Sequence, residues 1–461
     1  MRVLLVSPRA RLKGYSALFN EADELGLGIL YIAAATKAHR HECRVVRSDH
    51  AGIKAIIGEY SPEVVGITAV TATYPMAIAT AEAIKSLSPN VKTVMGGHHV
   101  TFTVRQTLQE DCVDYIVRGE GEEAFPELLR SLERGDPFPS IPGVCFRKDG
   151  TIQNEETIAT IRDLDSLPFP DQALLQNPGR VLIIGSRGCP HRCNFCSVPK
   201  FHSQTWRKRT VRSILDELEA IAKTRKLTKV EFRDDNLLAD PRWTRALCQG
   251  IRERGFDFTW HCLGRTDALE KDPELLDLMK ASGCSIIGLG LESGMQEIID
   301  SYGKGTSISQ ALTVSGLLRE RSILQIWYSM IGSGDEFDTP QYIQENVESL
   351  ASFPFDLLQI SLLTPFPGTP LYEKLESEGR LLDKGWECYD GMHCVYQPVG
   401  MSADQLEGEL VKAYKKIFIG SGMKRVFHTL LSARSFIFHT VNLRKLMKIF
   451  FRTVILRRDL I

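Results

Sequence analysis

Residues 181–199, VLIIGSRGCPHRCNFCSVP, carry the decisive pattern: an apolar β-type run, a glycine-containing turn, and three cysteines at C-x3-C-x2-C spacing. The run VLIIGS predicts a buried strand, which places Cys189, Cys193 and Cys196 in the loop at its carboxyl end. Three thiolates from one tight loop can each bind one iron of a four-iron cubane, leaving the fourth iron open to a small molecule. A structural zinc site is the other reading, because His191 and His202 lie near enough in sequence to supply a fourth ligand. The other eight cysteines show no second cluster-like spacing. Cys388 and Cys394, a looser pair, read as small buried apolar residues.

Outward from this loop the chain alternates strand and helix patterns. Downstream, KVEFRD, DFTWHC, SIIGLGLE, ILQIWYSMIG and DLLQISLLT are strand candidates separated by helical runs such as VRSILDELEAIAK and DPELLDLMKAS. With VLIIGS they make six βα units, so residues 177–365 are expected to form a partial (β/α)6 barrel. Upstream, RVLLV, ECRVVRS, EVVGIT, VKTVMGG and DYIVRGE each precede a helix-like stretch. Residues 1–135 are therefore read as an α/β domain with a doubly wound parallel sheet. In such a sheet ligands sit at the carboxyl ends of the strands, which here carry Ser7, Thr68, Thr71, Gly96, Gly97 and Gly119. Residues 136–176 read as a hairpin, turning at Asp149-Gly150, followed by a linker broken by Pro168 and Pro170. Residues 366–461 are irregular and then helical from Ser402.

Bulk properties agree with a folded enzyme. The chain has 461 residues, enough for two or three cores, and 43% apolar with 25% charged residues sits near globular averages. MRVLLVSP is too short an apolar run for a secretory signal, and eleven scattered cysteines without one point to reduced thiols in the cytoplasm. The net charge of −1 conceals an asymmetry: twelve Lys or Arg and one acid lie from Val411 onward, leaving 44 basic against 56 acidic residues before it. Positive charge confined to one tail, on an acidic body, argues against a nucleic-acid partner.

The cysteine spacing, with Phe195 just before the last cysteine, resembles the signature of the radical S-adenosylmethionine superfamily. The resemblance implies a [4Fe-4S] cluster on Cys189, Cys193 and Cys196. Its open iron would chelate the amino and carboxylate groups of S-adenosylmethionine, and one-electron reduction would release a 5′-deoxyadenosyl radical. It also implies cofactor contacts by Phe195 and, after the second barrel strand, by Asp234, Asp235 and Asn236, one of which could instead cap the next helix. Gly290-Leu291-Glu292-Ser293-Gly294 resembles the family's segment near the ribose and carboxylate, giving Glu292 and Ser293. Gly332 and Gly334 resemble its adenine-side glycines, although Ile331-Gly332-Ser333-Gly334-Asp335-Glu336 departs from the commoner Gly-x-Pro-Gly-Glu pattern.

A parallel sheet joined to this barrel resembles the superfamily's cobalamin-binding subgroup. LGLGILYIAAATKAHRHECRVV, GGHHVTF, RGEGEEAFPELL and TPFPGTPLYEKLESEGRL carry that likeness across most of the chain. It implies that Thr68, Thr71, Gly96, Gly97, His98 and Gly119 face a cobalamin; the other reading is a flavodoxin-like sheet that binds nothing. The Asp-x-His-x-x-Gly motif that supplies a cobalt ligand in many cobalamin proteins is absent, since Asp49-His50-Ala51-Gly52 does not match it. The resemblance to the radical subgroup, where that loss is common, implies a cofactor bound base-off and without histidine ligation, and neither His98 nor His99 is read as a cobalt ligand.

What the resemblance implies for function is methylation of an unactivated carbon of a small-molecule or lipid-like substrate, under anaerobic conditions and with a one-electron reductant such as flavodoxin or ferredoxin. Ring formation or rearrangement, as in the anaerobic magnesium-protoporphyrin monomethyl ester cyclase, uses the same machinery. A methylthiotransferase is disfavoured because the first domain lacks three cluster cysteines, and a non-enzymatic iron–sulfur carrier or sensor would not cleave S-adenosylmethionine. The tail KRVFHTLLSARSFIFHTVNLRKLMKIFFRTVILRRDLI has no apolar span long enough to cross a bilayer. It reads either as a basic amphipathic anchor on the inner face of the membrane or as a helix docked on the barrel.

Overall fold

The computed structural model describes residues 1–9, 25–48, 50–175 and 179–419. The basic tail from Lys424 to Ile461 and residue Asp49 lie outside these.

Strands β1 (Arg2–Pro8), β2 (Glu42–Ser48), β3 (Val64–Thr68), β4 (Lys92–Gly96) and β5 (Tyr115–Val117) form a parallel sheet in the order β2-β1-β3-β4-β5. The unalternating run of β1 is explained by helices on both faces: Val3, Leu4 and Val6 are fully buried and Leu5 nearly so. Val3 and Leu5 join one core with the helix Leu27–Ala38, while Leu4 and Val6 join another on the opposite face. Each such side chain contributes about 1.5–3 kcal/mol by leaving water.

The expected hairpin is present as β6 (Val144–Lys148) and β7 (Thr151–Gln153), but it is not a separate segment. It pairs antiparallel with β5 and extends the first sheet to seven strands. The following stretch also packs there, with Ile161, Leu164, Leu167 and Leu175 in the first domain's core. Strand pairing across the domain, which no local pattern announces, decides this.

The second sheet is parallel and open, six strands in the order β15-β14-β13-β12-β11-β8. They are β8 (Val181–Ile183), β11 (Lys229–Phe232), β12 (Thr259–Gly264), β13 (Cys284–Glu292), β14 (Leu324–Ile331) and β15 (Leu357–Leu362), and each pairs only with its neighbours in the chain's βα progression. Between β8 and β11 lies a two-residue ladder of β9 (Ser186–Arg187) and β10 (Arg207–Lys208). Local signals set the helices. Asp240 accepts from the Arg242 and Trp243 amides at 3.0 and 3.2 Å ahead of Pro241, and Ser307 with Gln310 forms a capping box. The helix after β11 is thus capped by Asp240, which leaves Asp234 and Asp235 for other work.

Beyond β15 the chain returns to the first domain. The turn Trp386–Cys388 packs against the turn Thr71–Thr73 and the helix Tyr74–Leu87, and the final described helix, Ala403–Ile419, lies on β15 and the helix Pro340–Ser352.

Candidate active site at the carboxyl edges of two sheets

Cys189, Cys193 and Cys196 are all half-buried, and Cys193 and Cys196 lie close enough to Cys189 and to each other to feel one another's charge. Burial pushes their thiols up, that of Cys196 to about 12, while Lys304 and Arg265 oppose this at Cys193. Ligation to iron needs the thiolate, so these two cations favour the ligating form. Among the described residues no three His, Cys, Asp or Glu side chains converge on one point as a mononuclear site requires. Three thiolates that each take a different iron need no such convergence.

The loop is held from several sides. Gly188, at φ +87°, lets the chain pass against the Thr205 carbonyl, where a Cβ would collide. Asn194 donates its backbone N–H to the Tyr302 carbonyl at 3.0 Å and its side-chain amide to the Ser301 carbonyl at 2.9 Å, and its own carbonyl accepts from the Leu371 N–H at 3.0 Å. Phe195 meets Tyr302 edge to face, with ring centres 5.2 Å apart. The Tyr302 hydroxyl donates to the Gly332 carbonyl at 2.6 Å. Phe195 therefore packs into the scaffold that joins the cysteine loop to the expected adenine segment.

Asp234 and Asp235, though adjacent, do different work. Asp234 is buried, accepting from the Gly185 N–H at 3.0 Å and the Ser186 hydroxyl at 2.6 Å. Burial pushes its carboxyl up to about 7 despite these bonds. Its oxygens are taken by protein donors, so it secures the strand that enters the loop. Asp235 accepts from the Gly188 N–H at 3.1 Å, and its side chain is 33% exposed. Asn236 is buried beside Cys189, where its hydrogen bond favours the thiolate, and its Oδ1 has no protein partner. Asn194 Oδ1 is likewise buried and unpartnered. Two orphaned acceptors beside the cysteine loop match a ligand bearing an ammonium group.

Glu292 sits at φ +66° and pairs with the buried Lys304, and a Cβ at Gly290 would collide with both charged groups. Ser293 is buried, donating to Asn346 Oδ1 at 3.2 Å, and the same oxygen accepts from the Gly294 N–H at 2.7 Å. Gly332 and Gly334 have φ of +92° and +78°. The segment folds around Asp338, whose carboxylate accepts from the Ser333 and Gly334 amides at 2.6 and 3.0 Å. The departure from Gly-x-Pro-Gly-Glu thus has a counterpart in the structure, an internal carboxylate that occupies these amides.

At the first sheet's edge, Gly97 has φ +105° and a Cβ there would lie 2.6 Å from the Ala69 carbonyl, so the loops after β3 and β4 approach through their backbones where only glycine fits. Gly119, at φ +94°, is packed against Ala159, and the chain itself fills its space. The His98 ring stacks on Phe201, five residues beyond the last cluster cysteine, at 3.9 Å and 12°. His99 accepts or donates at Nδ1 with the Thr71 hydroxyl, 3.3 Å away, and its buried Nε2 has no protein partner. Burial pushes His99 down to about 3, and burial together with His202 pushes His98 to about 4, so both rings are neutral.

A buried charge network, absent from the sequence reading, connects the two edges. Glu120 accepts from Arg207 at 2.7 and 2.8 Å, from His202 Nδ1 at 2.9 Å and from the Ile161 N–H at 2.6 Å. Burial would raise its carboxyl, but Arg207, His202 and Arg187 outweigh that and hold it well below the usual range. Glu122 pairs with Arg187 at 2.6 Å, and His202 Nε2 lies 3.7 Å from Asp235. Residues of RGEGEE in the first domain thereby brace Asp235 and the cysteine loop.

This geometry, two parallel sheets presenting their carboxyl edges with a three-cysteine loop between them, defines a radical S-adenosylmethionine enzyme with a second cofactor domain. Residues 183–345 match the Radical SAM superfamily and residues 21–129 match the B12 binding domain. The chain thus carries a B12 binding domain followed by a radical S-adenosylmethionine domain, and its relatives include both cobalamin-dependent radical methyltransferases and cyclase-like enzymes; its cofactors are a [4Fe-4S] cluster, S-adenosylmethionine and cobalamin. It is 28% identical to an uncharacterized methyltransferase of Pyrococcus horikoshii over 91% of this chain and 93% of that one. It is 27% identical to the anaerobic magnesium-protoporphyrin IX monomethyl ester cyclase of Cereibacter sphaeroides (87% and 66%), and 26% identical to the hopanoid C-3 methylase of Methylococcus capsulatus (91% and 80%). The fold is shared with the cobalamin-dependent radical enzyme OxsB, at TM-score 0.71, 14% identity and 94% and 72% coverage. It is also shared with the methyltransferase TsrM from Kitasatospora setae, at TM-score 0.66, 18% identity and 82% and 76% coverage.

Proposed function

We propose that the enzyme methylates an unactivated carbon of a small, largely apolar molecule that binds on the inner face of the six-stranded sheet. The observation that supports this is the lining of that face beneath the cysteine loop. Leu263 of β12 is 38% exposed there, and a Cβ at Gly288 would lie 2.6 Å from Leu263 and 3.0 Å from the Tyr328 ring. Leu263, Gly288 and Tyr328 thus form one apolar wall, with the Lys304–Glu292 pair above it at the strand ends and Glu231 with His261, 3.7 Å apart, below it. Leu263 and the Tyr328 ring fill the space over Gly288, so the wall is closed and the exposed Leu263 is the hydrocarbon surface it offers to a ligand.

When bound, the cluster and S-adenosylmethionine supply one-electron hydrogen abstraction and cobalamin supplies a transferable methyl group. The chain's part is placement. Cys189, Cys193 and Cys196 would hold the cluster, Asn236 and Asp235 would orient the ligand beside it, and the Glu292–Lys304 pair stands at the strand end between that side and the apolar wall. A flavodoxin- or ferredoxin-like protein is the proposed reductant. The cyclase-like alternative uses the same apolar wall and rests on the likeness to the Cereibacter protein.

Cells fed deuteromethyl methionine test the reaction. Methylation predicts a small apolar compound or lipid carrying three deuteriums that disappears when the gene is deleted; a deletion that changes no deuterium-labelled compound while an unclosed ring precursor accumulates would replace methylation by cyclisation. No described helix is long and apolar enough to cross a membrane. The basic, Phe-rich tail is proposed to lie on an anionic membrane surface, giving access to an apolar substrate. Equal sedimentation of full-length protein and a chain ended at Gly422 with anionic liposomes would refute that.

A further inference from the structure

Glu292 is held in a backbone conformation that a residue with a side chain rarely adopts. Its φ is +66°, and the pairing of β13 with β14 shifts register between Gly290 and Glu292, a bulge of the kind that re-aims a side chain. The Ser329 hydroxyl donates to the Glu292 carbonyl at 2.9 Å and ties this turn to the neighbouring strand. The carboxylate is thereby folded back over Gly290, where any Cβ would collide with it. Gly290 lies two residues beyond Gly288 on the same strand, so the carboxylate stands on the inner face of the sheet.

Lys304 meets it there. The lysine side chain is 5% exposed, and its ammonium pairs with Glu292 Oε1 and with no other carboxylate among the described residues. The backbone beneath is fixed, because the Lys304 carbonyl accepts from the Arg265 guanidinium at 2.7 Å. Glu292 Oε2 makes no hydrogen bond to a described residue, and the Glu292 side chain keeps 13% exposure. One oxygen is thus held by a buried cation and the other is left open. The pair stands on the cluster side of the barrel, since Lys304 lies close enough to Cys193 to favour its thiolate.

Backbone strain persists only where the surroundings over-determine it, and it collects at ligand clamps. The charges of the pair cancel, so the open oxygen suits a neutral donor; a second ammonium would meet the repulsion of Lys304. S-adenosylmethionine, the cofactor of the cysteine loop, carries neutral donors on its ribose.

We infer that Lys304 is a positioning residue for S-adenosylmethionine: it touches no ligand itself and holds Glu292 turned into the barrel, where the carboxylate meets the ribose hydroxyls already oriented. This rests on Glu292 belonging to the S-adenosylmethionine site. An acceptor fixed in advance loses no rotamer freedom when the ligand arrives.

Equilibrium dialysis of the full-length protein, anaerobically loaded with its cluster and cobalamin, tests it with three probes: S-adenosylmethionine, 5′-deoxyadenosine and methionine. Lys304→Met should bind S-adenosylmethionine and 5′-deoxyadenosine about 10- to 100-fold more weakly, the loss expected when a group that orients a ligand contact is removed. Methionine, which has no ribose, should bind as to the wild type and shift the electron paramagnetic resonance spectrum of the reduced cluster equally. Glu292→Gln should weaken the same two probes, and the double variant should bind them no more weakly than the weaker single variant. Wild-type affinities in Lys304→Met, an equal loss for methionine, or losses that multiply in the double variant would each overturn the positioning role. If Lys304→Met takes up no cluster, Lys304→Gln, which keeps a donor to Glu292 without the charge, decides by the same comparison. Unchanged S-adenosylmethionine binding in Glu292→Gln would instead overturn the assignment of Glu292 on which the inference rests.

Discussion

Replacing Glu120 by Gln should separate the two domains energetically. The carboxylate is 2% exposed and is held by Arg207 through two N–H donors, by His202, by the Ile161 amide and, 3.5 Å away, by Arg187. Gln keeps the shape but removes the charge, leaving Arg207 buried without its counterion, whereas Arg187 keeps Glu122. Breaking one side of a buried ion pair costs about 3–5 kcal/mol, and the hydrogen bonds lost with it are part of that figure. Since Glu120 belongs to the first domain and Arg207 and His202 to the second, the loss should fall on their union. Calorimetry should show one transition of the wild type resolving into two in Glu120→Gln, with reduced iron loading because the brace on Asp235 is lost. Glu123→Gln, at an exposed position of the same motif, should change stability by less than about 0.5 kcal/mol. The pH dependence follows from the lowered carboxyl of Glu120. Its contribution is full above the ordinary Glu value of about 4.3 and is lost as pH falls below it toward the depressed folded value. A loss below about 1 kcal/mol for Glu120→Gln, the size expected of an exposed pair, would refute the buried-brace reasoning.

Gly97→Ala should cost about 1–3 kcal/mol in urea unfolding, because φ +105° is strained for alanine and the Ala69 carbonyl lies 2.6 Å from the new Cβ; cobalamin retention should fall with it. Tyr302→Phe should cost about 1–3 kcal/mol by leaving the buried Gly332 carbonyl unpaired, and should weaken S-adenosylmethionine binding measured by equilibrium dialysis; unchanged binding would detach Gly332 from that site.

Features set by local pattern were legible in the sequence. The cysteine spacing located the loop, the β-rich runs located the parallel strands, and the glycines at 97, 332 and 334 mark real positive-φ positions. Features set by distant pairing were not. Nothing local distinguishes Asp234 from Asp235, yet one carboxylate turns under the strand and the other toward the loop, because only the first meets the Gly185 and Ser186 donors. Glu120 stands 82 residues from His202 and 87 from Arg207, and Ser293 stands 53 from Asn346, so no periodicity connects them. RGEGEE could be noticed as a motif, but its role as the brace between domains depends on the tertiary fold. The hairpin was likewise visible, whereas its pairing with β5 was not.

The central claim is that Cys189, Cys193 and Cys196 hold a cluster that cleaves S-adenosylmethionine by one-electron chemistry. The most direct measurement is 5′-deoxyadenosine formed by anaerobically reconstituted, cobalamin-loaded protein with S-adenosylmethionine and dithionite, compared with the triple Cys189→Ala, Cys193→Ala, Cys196→Ala variant. The wild type should bind about four irons per chain and form 5′-deoxyadenosine, and the variant should do neither. Equal formation by the variant, or none by a wild type carrying its full cluster, would contradict the claim.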